Sequence, residues 1–171
     1  MSVFFPPEGK TRPEENMNLS RRSVIGAAAS LPFASAFSAN AQASSVEMET
    51  SSGRVRGLQS DGINVFRGIR YGEDTAQSRF AKPVPAARRT ETLDAIDYGA
   101  ACPQRAEQPL EDEDCLFLNV WTPGIAEGAK RPIMFYIHGG AYSNGSGSDE
   151  LYDGTRLATK GDVVVITVNH R

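Results

Sequence analysis

Cysteine is scarce in this chain, with two among 171 residues, Cys102 and Cys115. Neither has a further Cys or a His at ligand spacing, so no metal centre is read from the sequence. Positive charge is in deficit: 18 Lys and Arg stand against 21 Asp and Glu, which gives no footprint for nucleic acid or an anionic membrane. Long apolar runs are missing as well. The charge-free stretch from Ser23 to Val46 is broken by Pro32 and six serines, too little apolar content for a spanning helix. The Gly/Ser segment 139–148 is not followed by Lys-Ser/Thr and a helix, which argues against a phosphate cradle. There is no internal repeat.

The first forty or so residues form a targeting segment. Ser20-Arg21-Arg22-Ser23-Val24-Ile25 is a twin-arginine pattern, and Ala39-Asn40-Ala41 is a small-x-small cleavage site, with Ala41-Gln42-Ala43 overlapping it. This reads as a 1–41 signal for export to the periplasm or beyond. No cysteine adjoins the cleavage site, so lipid attachment there is excluded. The remaining 42–171 portion has 130 residues, 14 basic and 18 acidic, for a net charge of −4. Its two cysteines lie thirteen apart at the ends of one polar, acidic excursion, and an oxidising compartment makes a Cys102–Cys115 disulfide the expectation. The alternative is two buried thiols that never meet.

Along that portion, Val46–Thr50, Val55–Leu58 and Ile63–Ile69 are short alternating stretches separated by Ser51-Ser52-Gly53 and Ser60-Asp61-Gly62. They predict an antiparallel meander. Residues 72–97 carry two prolines and no sustained period, which predicts loop with at most a turn of helix. Cys115–Trp121 is a strand stopped by Thr122-Pro123-Gly124. Ile133–Ile137 is apolar save for one tyrosine hydroxyl, the pattern of a strand covered on both faces. Asp153 caps a helix to about Thr159, with Gly161 as its stop, and Val163–Val168 is a β-branched run. Strand, loop, helix, strand predicts a right-handed parallel crossover. The class is therefore α/β: an antiparallel meander followed by the start of a mixed, mostly parallel sheet.

His138-Gly139-Gly140-Ala141 closes the apolar strand Ile133–Ile137. Small residues at a strand's carboxyl end bare backbone N–H groups, which suit the negative oxygen that develops when an ester carbonyl is attacked. No Gly-x-Ser-x-Gly elbow occurs in the 171 residues, and Ser143, Ser146 and Ser148 have no acid–histidine pair to serve them.

Several segments carry a family resemblance in the expected order. Glu113-Asp114-Cys115-Leu116-Phe117-Leu118-Asn119-Val120-Trp121-Thr122-Pro123 is the longest. Before it come Val65–Gly72, Arg79-Phe80 and Ala101-Cys102-Pro103-Gln104; after it come the His-Gly-Gly loop, Leu151-Tyr152-Asp153-Gly154 and Val168-Asn169-His170-Arg171. Together they resemble the type-B carboxylesterases, the α/β-hydrolase family that takes in bacterial p-nitrobenzyl esterases and cholinesterases. Departures exist: Arg70 and Gly72 replace the usual Pro and Ala, no Trp stands near Arg88–Thr90, His170 replaces a commoner Tyr, and Ala141 replaces a third Gly.

The resemblance implies a serine esterase with an acyl-enzyme mechanism, acting on small carboxylic esters without metal or organic cofactor. It implies Gly140 and Ala141 as oxyanion-hole donors, with His138 and Gly139 as loop support. It also implies a buried ion pair between Arg67 and Glu113; the alternative is two solvated charges. On this reading residues 42–171 are the front of the catalytic domain, ending before the nucleophile elbow, so the chain alone is expected to be inactive on esters and prone to aggregate. The alternatives are a non-catalytic binding or adhesion homologue on the same fold, or an inactive truncated relic. Oligomeric state stays open.

Overall fold

Turn chemistry sets the first three strands. The computed structural model describes residues 44–106, 108–126 and 128–171; the export pattern within 1–41 lies outside the described residues. Strand β1 (Ser44–Thr50) turns through Ser51-Ser52 into β2 (Gly53–Ser60), and Asp61-Gly62 turns β2 into β3 (Ile63–Arg70). Asp61 and Gly62 both hold positive φ, 51° and 78°, as a two-residue hairpin of matching twist requires. The three strands pair antiparallel, so the expected meander forms.

Residues 72–97 are mostly irregular, but Leu93–Asp94 makes a short strand, β4, parallel to β2. It is too short to leave a periodic trace in the sequence. Backbone bonds hold it: Ala95 N–H donates to Arg56 O at 2.6 Å, and Arg67 N–H donates to Ala95 O at 2.8 Å.

Strand β5 (Phe117–Thr122) lies antiparallel to β3, with a register shift between Phe66 and Ile69 where Gly68 takes φ +66°. Strand β6 (Ile133–Ile137), a 3₁₀ turn (Glu150–Tyr152), helix α1 (Thr155–Gly161) and strand β7 (Val164–Val168) complete the described elements. Asp153 Oδ1 accepts from Thr155 N–H at 2.9 Å, but the cap position itself is Gly154, which makes no side-chain bond, and the helix runs through Gly161 to a left-handed Asp162. β6 and β7 pair in parallel, residue for residue from Ile133–Val164 to Ile137–Val168, which is the predicted crossover. The order across the sheet is β1-β2-β3-β5-β7-β6.

Side-chain alternation divides the apolar residues between the two faces. Ile63, Trp121 and Val165 pack with Ala158 of α1 on one face; Val55, Phe66 and Ala95 pack on the other, joined by Val120. Trp121 is fully buried. β6 departs from expectation. Its five residues are exposed, from 39% at Tyr136 to 65% at Ile133, because among the described residues β7 supplies its paired edge and its faces carry little beyond Tyr152, whose ring lies 4.7 Å from that of Tyr136. Among the described residues no helix is long and apolar enough to cross a membrane.

Candidate active site

The loop that leaves β6 is built on left-handed backbone. Gly140, Ala141 and Tyr142 hold φ of +119°, +53° and +57° in succession. For the two non-glycine residues this conformation costs roughly 1–2 kcal/mol each, a cost that concentrates at functional loops. A Cβ at Gly140 would collide with the Asn144 carbonyl, so the position needs glycine for space as well as for φ. Gly140 O accepts from Ser143 N–H at 2.9 Å and from Asn144 N–H at 3.2 Å, which closes the turn. Gly140 and Ala141 are exposed, and their own N–H groups meet no acceptor among the described residues.

The far end of the loop is tied down by side chains. Gln104 binds Gly145 through both of its polar atoms, and its amide also donates to Cys102 O at 3.0 Å. Asn169 Oδ1 accepts from Gly147 N–H at 2.8 Å and from Ser146 Oγ at 3.1 Å, while Asn169 Nδ2 donates to Ala100 O at 2.7 Å. Thr167 Oγ1 and Asn119 Nδ2 both donate to Gly147 O, and Asn119 Oδ1 receives Gly68 N–H at 2.9 Å. These buried polar side chains are satisfied and rigid. The segments containing Gln104, Asn119 and Asn169 carry the family resemblance, but no local sequence pattern gives these residues a specific role. The signal was there: Asn119 and Thr167 are polar residues inside otherwise apolar strands, and such residues need partners.

His138 and His170 meet below the loop, with ring centroids 4.2 Å apart. His138 Nδ1 lies 2.8 Å from Gly139 O, so that nitrogen carries the proton and donates. Burial, and then the charge of His138, holds the His170 imidazole below the usual histidine range. Among the described residues neither ring touches a serine hydroxyl or a carboxylate, and Ser146 is buried with its Oγ engaged by Ser148 and Asn169. His138 begins the loop and its ring lies against Gly145 near the loop's far end. With Cys102, Gln104, Gly139 and Ala141, the two histidines line an open cavity of about 610 Å³. No group of three or more potential metal ligands comes together among the described residues.

Two structural expectations are corrected. Arg67 does not meet Glu113. β3 ends at Arg70, opposite Phe117, so Arg67 sits further into the sheet, within the register shift that follows the Phe66–Val120 pair, while Glu113 lies past the strand end. The register shift turns Arg67 to the Tyr98 ring, 4.8 Å away, and to Asp153, 3.9 Å away. Glu113 is taken instead by Arg79, at 3.5 Å, and by Arg171. Arg70, the departure from proline, forks onto Asp114 and lies over the Phe117 ring. Cys102 and Cys115 are unbridged thiols in this structure, although they adjoin. The Cys102 thiol donates to His170 O at 3.1 Å, an alternative engagement for that sulfur. Contact with Cys115 pulls the Cys102 thiol down, and the same contact pushes Cys115 up.

Comparison with known proteins agrees with this geometry. The model of the carboxylesterase family matches residues 43–171. The chain is 40% identical over 131 residues to a para-nitrobenzyl esterase of Bacillus subtilis, covering 71% of this chain and 27% of that protein. It is 38% identical over 134 residues to a phenmedipham hydrolase of Pseudarthrobacter oxydans, with the same coverage of 71% and 27%. Among solved structures, a Geobacillus stearothermophilus carboxylesterase superposes with a TM-score of 0.67 at 43% identity, over 73% of this chain and 26% of that one. The chain spans about a quarter of the length of these relatives. A match over the whole described region, at this identity and with the same sheet, has one meaning: the chain belongs to the carboxylesterase family.

Proposed function

We propose that this chain supplies the oxyanion loop of an exported carboxylic ester hydrolase that works through an acyl-serine. The observation that carries the reading is the pair of exposed N–H groups at Gly140 and Ala141, without partners among the described residues and held in left-handed backbone, with Ala141 lining the cavity. In such a reaction a serine oxygen attacks the ester carbonyl while a histidine takes its proton, and an acid orients that histidine. Charge then gathers on the carbonyl oxygen. Fixed backbone donors stabilise that charge without reorganising, and losing one typically costs about 2.7–4 kcal/mol. The tetrahedral species collapses with loss of the alcohol, and water releases the acid by the same route.

On this reading the serine, acid and base come from polypeptide outside these 171 residues, and the substrate is a carboxylic ester of modest size. The 171-residue chain by itself then leaves esters untouched. Export is supported by the twin-arginine pattern at 20–25 and the small-x-small site at 39–41, which imply a periplasmic or secreted protein.

The test is p-nitrophenyl butyrate hydrolysis by the protein purified from its host, as wild type and as Gly140→Val. The variant is expected to lose at least about 10²–10³-fold in kcat; because a side chain at position 140 also strikes the Asn144 carbonyl, its unfolding midpoint is measured alongside and is expected to fall. Equal turnover would refute the assignment of the loop.

A further inference from the structure

The chain has two histidines, and the fold stacks them. Their positions follow from the parallel register. Ile137 pairs with Val168, so the chain leaving β6 and the chain leaving β7 emerge side by side, with His138 and His170 on the two exits. The ring planes are inclined by 33°. On the loop side His138 lies against Gly145, where a Cβ would strike its ring. His138 is therefore clasped between His170 and the end of the glycine loop that His138 itself begins. His170 Nδ1 is buried and meets no partner among the described residues.

We infer that His170 is a positioning residue for this loop: stacked in its neutral form it holds His138, and protonation of His170 breaks that stack and releases residues 138–145. Among the described residues the surroundings offer no free counter-charge for that proton. Arg171 follows His170 in sequence, and its guanidinium is engaged by Glu113 and by Thr75 Oγ1. Glu113 is shared with Arg79, so its charge is already matched by two guanidiniums. The Cys102 thiol donates to the His170 carbonyl and otherwise contacts Cys115, and the Tyr71 hydroxyl donates to Asn169 O at 2.6 Å. On the β6 side the Tyr136 and Tyr152 rings lie against each other, 4.7 Å apart.

The sign of the effect follows from linkage. Burial and the neighbouring ring hold His170 below its ordinary range in the folded state, so the unfolded chain binds more protons. The stabilisation is complete above the unfolded histidine value, about 6.5. It is lost as pH falls through the lowered folded value. A tyrosine at position 170, the residue commoner in the family, keeps an aromatic face against His138 but carries no proton equilibrium in this range.

The consequence for ester hydrolysis rests on the function proposed above; the histidine pair itself does not. The experiment uses the protein as purified from its host, labelled with ¹³C at histidine Cε1 and ¹⁵N at glycine, followed by NMR from pH ~8 to ~5. The His170 signal is expected to titrate below the range of an exposed histidine, and His138→Gln is expected to move it upward. The Gly139, Gly140 and Gly145 amide signals are expected to follow the same midpoint, and to stop moving over this range in His170→Tyr. The inference is overturned if those amides ignore pH in the wild type, or respond identically in His170→Tyr, or if His138→Gln leaves the His170 midpoint in place. Where ester turnover is present, the acid limb of kcat moves to lower pH in His170→Tyr. Absence of all turnover would count against the proposed function and leave the spectral outcomes to decide the pair.

Discussion

Gln104 and Gly145 hold each other by two reciprocal hydrogen bonds: Gly145 N–H donates to Gln104 Oε1 at 2.6 Å, and Gln104 Nε2 donates to Gly145 O at 3.0 Å. A side-chain amide here substitutes for a strand partner and fixes the end of the glycine loop to the segment that begins the acidic excursion. Gln104→Ala leaves both backbone groups of a half-buried glycine unpaired, at a cost of about 1–3 kcal/mol. Gln104→Glu keeps the acceptor for Gly145 N–H and is expected to lose less. Urea unfolding of the three proteins checks this, and coincident midpoints would rule the clasp out as a stabilising contact.

The carboxylate of Glu113 provides a second test, because two arginines compete for the assignment. Arg79 lies 3.5 Å from it, whereas Arg67 is engaged by Asp153 and Tyr98. Double-mutant cycles are expected to give coupling for Arg79→Ala with Glu113→Ala and none for Arg67→Ala with Glu113→Ala. Arg79 is more than half exposed, so its coupling should not exceed about 1 kcal/mol. Coupling to Arg67 and none to Arg79 would restore the pairing implied by family resemblance alone.

That misassignment marks where sequence stopped being informative. The strands were legible because hydrophobic alternation and turn residues are local: Asp61-Gly62 announces its hairpin, and the β-branched run Val163–Val168 contains the β7 strand. The parallel pairing of β6 with β7 followed from one intervening helix. Which arginine reaches Glu113 depends on a register shift at Gly68, and a one-residue irregularity re-aims every side chain near it. The glycine loop was visible as His138–Ala141. Its anchors, Gln104, Asn119 and Asn169, come from segments far apart in the chain, and no local pattern brings them together.

Cys102 and Cys115 adjoin as free thiols, which places the two sulfurs where an oxidant could join them. The thiol of Cys102 lies below its usual range, chiefly through Cys115 and also through Arg171, so its thiolate forms first and at lower pH. Diamide is expected to close an intramolecular bridge, leaving no reactive thiol in the denatured, unreduced protein, and Cys115→Ser should leave one. Closing a loop of this size is worth about 3 kcal/mol in the chain-entropy account. The rate should rise with pH through the ionisation of Cys102. Two thiols persisting after oxidation would show that the sulfurs cannot reach bonding geometry.

The β6 strand governs how the 171-residue polypeptide behaves by itself. Ile133, Phe135 and Ile137 are more than half exposed, and Met134 and Tyr136 are exposed on the opposite side of the pleat. One edge of the strand is paired to β7, and the other is free among the described residues. An apolar strand with a free edge offers both hydrogen-bonding groups and apolar area to any similar strand, including that of a second copy. The isolated chain is therefore expected to self-associate in a concentration-dependent way by size-exclusion chromatography with light scattering. Phe135→Lys places a charge on one face of that strand, where the side chain is exposed and the sheet has no core to lose, so it should shift the population toward monomer without lowering the unfolding midpoint. A wild-type chain that stays monomeric at high concentration would mean that the exposed face of β6 does not drive association, and the expected effect of the lysine would lose its basis.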